Sequence, residues 1–233
     1  MRPQLITTLG TILLTASTLA VAGCGSDIGT TQENAYTITE PVTSLKVDNP
    51  VGDTQIEGTD ATTVSVTERL TYTGNPPQTS HTINGGRVTL GYTCASGIIG
   101  VNSCSVTYVV HVPRRIAVQV DDEVGSTTLS GLAGQLTLNS STGNIDATEL
   151  TSGAVTARAS AGTITLQFTA PPTTVDARAD VGSVRVQLPA GTAYAVDTGS
   201  EVGGVKVTVQ RDPGSTHRVT AHSQVGSVTV SNS

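Results

Sequence analysis

The stretch PRRIAVQVDDEVGSTTLSGLAGQLTLNSSTGNIDA, residues 113–147, holds one pattern twice: an alternating segment, a glycine, and a second alternating segment. The glycines are Gly125 and Gly143. The pattern continues at Gly162, Gly182, Gly203 and Gly226, with spacings of 18, 19, 20, 21 and 23 residues. An earlier copy, Val51-Gly52-Asp53, precedes an interrupted region. Seven residues before each glycine stand Val118, Leu136, Val155, Val175, Val196 and Val219. Five before stand Val120, Leu138, Ala157, Ala177, Thr198 and Ala221. Three before, the residues are small or polar: Asp122, Ser140, Ala159, Ala179, Ser200 and Ser223. Two after come Thr127, Ile145, Ile164, Val184, Val205 and Val228; four after come Leu129, Ala147, Leu166, Val186, Val207 and Val230. The intervening positions are mostly Thr, Gln, Asp, Arg or Lys.

Period-two alternation marks strands, so each unit is two strands around a glycine corner. Glycine permits a backbone conformation there that a Cβ would forbid. The rest of each unit is a loop of variable length, with proline in three copies (Pro171-Pro172, Pro189, Pro213). One unit cannot bury its aliphatic stripe alone. Stacked units can, with like residues above like at about 4.7–4.9 Å. The expected fold is all-β: a single-chain β-solenoid, or β-helix, with coils of about 20 residues. The alternative is an antiparallel β-sandwich in which each glycine closes a hairpin. Corners such as Asp180-Val181-Gly182-Ser183 lack the Asn-Gly or Asp-Gly pair of tight hairpins.

The repeat domain spans residues 36–233, with regular repeats over 116–233 and irregular first coils over 36–115. Within the latter, Val64-x-Val66-x-Glu68-x-Leu70-x-Tyr72 alternates. Arg87 to Tyr92 and Ser105 to Val112 flank a glycine-rich loop between Cys94 and Cys104, and are expected to pair as a hairpin beneath a disulfide.

The first 23 residues read as an export signal: Arg2, an uncharged apolar run from Leu5 to Ala20, then small residues. The run is shorter than the ~20 residues of a membrane-spanning helix. Val21-Ala22-Gly23-Cys24 resembles the lipobox of bacterial lipoproteins, which implies lipidation of Cys24 and a lipid-anchored location on the extracytoplasmic face of the cell membrane. Residues 24–35 then read as a lipidated cysteine and flexible tether. An oxidising compartment makes Cys94–Cys104 a structural disulfide, closing a short loop and stabilising by roughly 3 kcal/mol.

Composition excludes other classes. Charged residues make up 13% of the chain and aromatics 3%, with no Trp and one Phe, so the core must be aliphatic. The net charge is −6, and Arg114-Arg115 is the only basic cluster. Nucleic-acid binding by phosphate neutralisation is therefore not expected.

The glycine-cornered repeats, the early VDNPVGDTQIEG and the stretch quoted at the outset resemble the bacterial "putative adhesin" family of β-strand repeat proteins, over about residues 36–233. The resemblance implies a surface β-helix and no enzyme activity.

The residues point the same way. His81, His111, His217 and His222 form no ligand-spaced cluster, and neither a nucleophile elbow nor a phosphate loop is present. No cofactor is expected. Carboxylates are the one chemical candidate. Asp121, Asp122 and Glu123 run together, and Asp180 and Glu201 stand two residues before glycines of consecutive units. Stacking in sequence order would bring Asp180 beside Glu201, as a weak metal site or the acid pair of a polysaccharide-active enzyme. The equivalent residues elsewhere are Ser141, Ser160 and Gln224, so no acidic ladder is expected. The first expectation is a non-enzymatic surface protein that binds an envelope protein or glycan. The alternatives are the polysaccharide-active enzyme, using Asp121/Asp122 or Asp180/Glu201, and a structural or accessory envelope protein.

Overall fold

The computed structural model describes residues 29–94 and 103–233, so Cys24 and the export signal lie outside the described residues. Among these, every regular element is a strand. In chain order they are β1 (Thr30–Ile38), β2 (Ser44–Val51), β3 (Thr54–Thr59), β4 (Val64–Tyr72), β5 (Gln78–Asn84), β6 (Arg87–Thr93), β7 (Cys104–Pro113), β8 (Ala117–Val124), β9 (Thr127–Ser130), β10 (Leu136–Thr142), β11 (Ile145–Leu150), β12 (Ala154–Ala161), β13 (Ile164–Phe168), β14 (Thr174–Val181), β15 (Val184–Leu188), β16 (Ala195–Val202), β17 (Val205–Val207), β18 (Arg218–Val225) and β19 (Val228–Asn232).

Each repeat contributes one strand to each of two sheets. Sheet A has the order β1-β4-β7-β3-β9-β11-β13-β15-β19-β17, and sheet B the order β16-β18-β14-β12-β10-β8-β2-β6-β5. Neighbouring coils of the regular repeats pair in parallel, in the register that alignment on glycine predicts. Leu136 lies opposite Val118 and Val155, and Ile145 opposite Thr127 and Ile164. This is the solenoid and not the antiparallel sandwich. The aliphatic columns form one core between the sheets, with Val120, Leu138, Ala157, Ala177 and Ala221 fully buried.

The corner glycines are required by the stacking itself. At Gly143, with φ +143°, a Cβ would sit 1.8 Å from the carbonyl oxygen of Gly125 in the adjacent coil. The same approach, at 1.9–2.2 Å, recurs along the column from Gly52 to Gly203. Alanine would have to push neighbouring coils apart as well as adopt a disfavoured φ. The residue three before each glycine has the parity of the aliphatic positions and points inward. Where it is an amide or a serine it satisfies a corner carbonyl: Asn49 Nδ2 donates to Gly52 at 3.0 Å, Ser223 Oγ to Gly182 at 2.8 Å and Ser200 Oγ to Gly226 at 2.7 Å.

Three expectations are corrected. First, the coils do not stack in sequence order. β18 and β19 insert between β14/β15 and β16/β17, which leaves β16/β17 as the end coil. Polarity accounts for the choice. The inward residues Val219, Ala221, Val228 and Val230 are buried between two coils. Their counterparts include Thr198, and Val205 is 46% exposed at the end. Second, Arg87–Thr93 and Cys104–Pro113 do not form a hairpin. β6 pairs with β2 and β5 in sheet B, and β7 with β3 and β4 in sheet A. They are the two arms of one more coil. Cys94, just after β6, and Cys104, the first residue of β7, are disulfide-bonded with Cα atoms 6.0 Å apart, and so join the two arms. Third, residues 30–35, read as tether, belong to β1, which pairs antiparallel with β4 from Thr30↔Tyr72 to Ile38↔Val64. The exposed polar side chains of its first half hid it, and only Tyr36 and Ile38 at its far end pack toward the core.

Candidate functional site

The outer face of sheet B carries an open concavity. The residue two before each glycine drops out of the pairing in every pair of regular coils, with the register unchanged on either side: Ser140↔Asp122 is followed by Thr142↔Val124, and Ala179↔Ser223 by Val181↔Val225. These interruptions are aligned from coil to coil and line a groove across the strands. One section encloses about 470 Å³, from Asp48 and Pro50 on β2 to Arg178 and Asp180 on β14. A second, of about 400 Å³, continues from Arg178 to Glu201 on β16. At ~4.8 Å per coil, the groove crosses seven coils and about 29 Å.

One wall is the column four residues before the glycines: Asp48, Asp121, Asn139, Arg158, Arg178 and His222, in stacking order. The other is the column two before: Pro50, Glu123, Ser141, Ser160, Asp180, Gln224 and Glu201. The first wall is held rigid by its outer neighbours. Asp121 accepts from Gln119 Nε2 at 2.8 Å and Asn139 Nδ2 at 2.7 Å, and lies 3.5 Å from Lys46 Nζ. Lys46 also donates to Asp48, a bond that raises its pKa. Asp176 takes one nitrogen from each guanidinium, Arg178 Nε at 2.7 Å and Arg158 Nη2 at 3.1 Å, and so fixes two like charges in adjacent coils.

The acidic candidates separate. Asp121 and Asp122 point to opposite faces, Asp121 into the groove wall and Asp122 into the core at 3% exposure. Asp122 accepts hydrogen bonds from Thr54 Oγ1 at 3.0 Å and from Thr127 Oγ1, and Asn49 Nδ2 donates to Thr54 in turn. Burial raises the Asp122 pKa to about 6 against those two hydroxyls, with the carboxylates of Asp121 and Asp53 adding to the rise. Asp180 and Glu201 are not adjacent, because β18 lies between their strands. Asp180 accepts instead from Gln224 Nε2 at 3.3 Å. Among the described residues, no three His, Cys, Asp or Glu side chains are grouped to hold a metal ion.

The histidines are dispersed. His81 stacks on Tyr36 at 4.7 Å, His217 Nδ1 lies 2.7 Å from the Pro172 carbonyl oxygen, and His222 lies 3.5 Å from Asp197. His111 sits between Ser65 Oγ at 3.4 Å and Glu57 at 3.3 Å, in a row across three strands of sheet A. That row lies in mid-sheet, where ladder bonding takes the backbone N–H groups that an oxyanion would need.

The charged residues of the groove were visible in the sequence, but their assembly into one wall was not. Arg158, Arg178 and Asn139 carried no motif. Only their shared offset from the corner glycines places them in one column with Asp121.

A stacked-coil β-solenoid with a polar groove along one face is thus the class of protein that the fold defines. The chain belongs to the Toastrack DUF4097 family, whose model matches residues 40–232. Two solved structures share the fold. One, from Clostridium sporogenes, is described as a "putative cell adhesion protein"; it is 16% identical, with a TM-score of 0.51, and the match covers 88% of this chain and 100% of that one. The other, from Bacteroides fragilis, is described as a "putative adhesin"; it is 13% identical, with a TM-score of 0.55, and the match covers 88% and 97%. Comparison with curated proteins gave no match.

Proposed function

We propose that this protein is a non-enzymatic binding module, held on the extracytoplasmic face of the cell membrane by lipid on Cys24, that serves adhesion or ligand capture at the envelope. The observation that carries the reading is the groove on sheet B, open, polar and continuous over seven coils. Pockets for small molecules are enclosed, whereas an open trough with charged and hydroxyl side chains along it suits an extended partner. The adhesion names attached to the two structural neighbours agree with this reading. The polysaccharide-active alternative loses support from the separation of Asp121 from Asp122 and of Asp180 from Glu201.

Two experiments test the proposal. Metabolic labelling with a fatty acid should tag the wild-type chain and not Cys24→Ala. Deletion of the protein should lower adherence of the cells to their substratum, with restoration by the wild-type chain. Unchanged adherence on deletion would overturn the adhesion reading, and an untagged wild-type chain the lipid anchor.

A further inference from the structure

The wall formed by Asp48, Asp121, Asn139, Arg158, Arg178 and His222 has an order that selects among ligands. Two carboxylates come first, then an amide, then two guanidiniums, then an imidazole, one to each coil. The facing wall carries Glu123 on the acidic side, Ser141 and Ser160 in the middle, and Asp180 and Glu201 on the side of the arginines and His222. A polyanion along this trough would meet Asp48, Asp121 and Glu123. A polycation would meet the arginine pair. Each would be repelled over part of its length.

Carboxylate, amide and guanidinium groups share one property: they are planar and present two hydrogen-bonding atoms side by side. Carboxylates accept from hydroxyls, guanidiniums donate to them, and the amide does both. A column of such groups at ~4.8 Å intervals can therefore grip neighbouring hydroxyls of an uncharged chain regardless of the sign of each rung. The grip is preorganised, because Gln119 and Asn139 orient Asp121 and Asp176 orients both arginines. Each guanidinium has five N–H donors, of which the bond to Asp176 uses one. The hydroxyls of Ser141 and Ser160 add donors and acceptors opposite.

From this arrangement, and resting on the binding-module reading, we infer that the sheet B groove binds an uncharged oligosaccharide laid across the coils. The groove walls carry no Phe, Tyr or Trp side chain to stack on a sugar, so single-site affinity is weak. Avidity then comes from many copies displayed on one surface.

Saturation-transfer NMR on the purified full chain tests this. The probes are hexasaccharides of chitin, cellulose and mannan, a hyaluronan hexasaccharide as the anionic probe, and an alternating Glu/Lys octapeptide. At least one neutral hexasaccharide should give a signal, and raising NaCl tenfold should change it by less than about twofold, since no net charge is engaged. Ser160→Trp, which fills the groove, should reduce the signal about tenfold or more. The double variant Arg158→Ala/Arg178→Ala should reduce it severalfold. Thr165→Trp, on the outer face of sheet A, should leave it unchanged, and thermal melting checks that every variant is folded. The inference is overturned if no neutral hexasaccharide binds, if the signal survives Ser160→Trp, or if only the octapeptide or only hyaluronan binds. Adherence of cells carrying Ser160→Trp separates the two levels. Adherence lost with no hexasaccharide bound removes the ligand class and keeps the binding module; adherence unchanged even on deletion removes the module itself.

Discussion

Asp122→Asn should make the protein more stable at neutral pH. Asp122 is buried, and its pKa stands at about 6 in the fold against 3.8 for the free side chain. Folded Asp122 therefore binds its proton more tightly than the unfolded chain does. Its contribution is most favourable below pH 3.8, falls as the pH rises, and reaches its full penalty above about 6. At about 1.4 kcal/mol for each tenfold difference in proton affinity, the penalty is ~3 kcal/mol. Asparagine keeps the shape and removes the ionisation. Its amide oxygen accepts from one of Thr54 and Thr127, and its nitrogen donates to the other hydroxyl. Urea denaturation of both proteins between pH 4 and 8 isolates the effect, because all other titrating groups are shared. The difference should be small at pH 4 and grow to ~1–3 kcal/mol in favour of the variant at pH 8. Parallel pH profiles, or a variant less stable than wild type at pH 8, would show that Asp122 is not strained by burial.

Other perturbations probe other layers. Gly143→Ala should cost at least ~4 kcal/mol, combining ~1–3 for its φ with displacement of the Gly125 carbonyl 1.8 Å away; a loss below 1 kcal/mol by denaturant titration would contradict the close stacking. Phe168→Ala, in the core at 0% exposure, should cost ~3–5 kcal/mol. Val205→Ala, in the exposed end coil, should stay within about 0.5 kcal/mol. A loss above about 1 kcal/mol at Val205 by calorimetry would show that the end coil is covered. Reduction of Cys94–Cys104 removes a cross-link over a sequence separation of 10 and should lower stability by about 3 kcal/mol on the chain-entropy model. Equal melting temperatures with and without reductant would argue against that role.

Much of this was legible before any coordinates. Alignment on the corner glycines places Leu136 beside Val118 and Val155, and the structure has that register. It does so because stacking identical offsets is the only way one unit can bury its stripe. The inward turn of Asp122 was also legible, since it shares parity with Val118 and Val120, but a charged residue reads as exposed unless its partners are known. Those partners, Thr54 and Thr127, come from two other strands. Coil order was not legible. The β16 and β18 sequences offer the same register to β14, and the small polarity difference between Thr198 and Ala221 selects between them only in the assembled stack. That order puts Gln224 between Asp180 and Glu201, and so decides what the groove can hold. β1 was invisible for a different reason: its side chains Thr30 to Glu33 are polar and exposed, so no hydrophobic pattern marks its start.

The groove exists in this form only if the coils stack in this order, and engineered disulfides measure the order directly. Asp176 and Thr220 are register partners, as are Thr220 and Asp197, so Asp176 and Asp197 lie two coils apart, or ~9.6 Å. A disulfide requires Cα atoms within about 7 Å. The variant Asp176→Cys/Thr220→Cys should oxidise to a cross-linked form, and Asp176→Cys/Asp197→Cys should keep two free thiols. The reverse outcome would place β16 against β14, restore sequence order, and remove the groove wall on which the binding proposal depends.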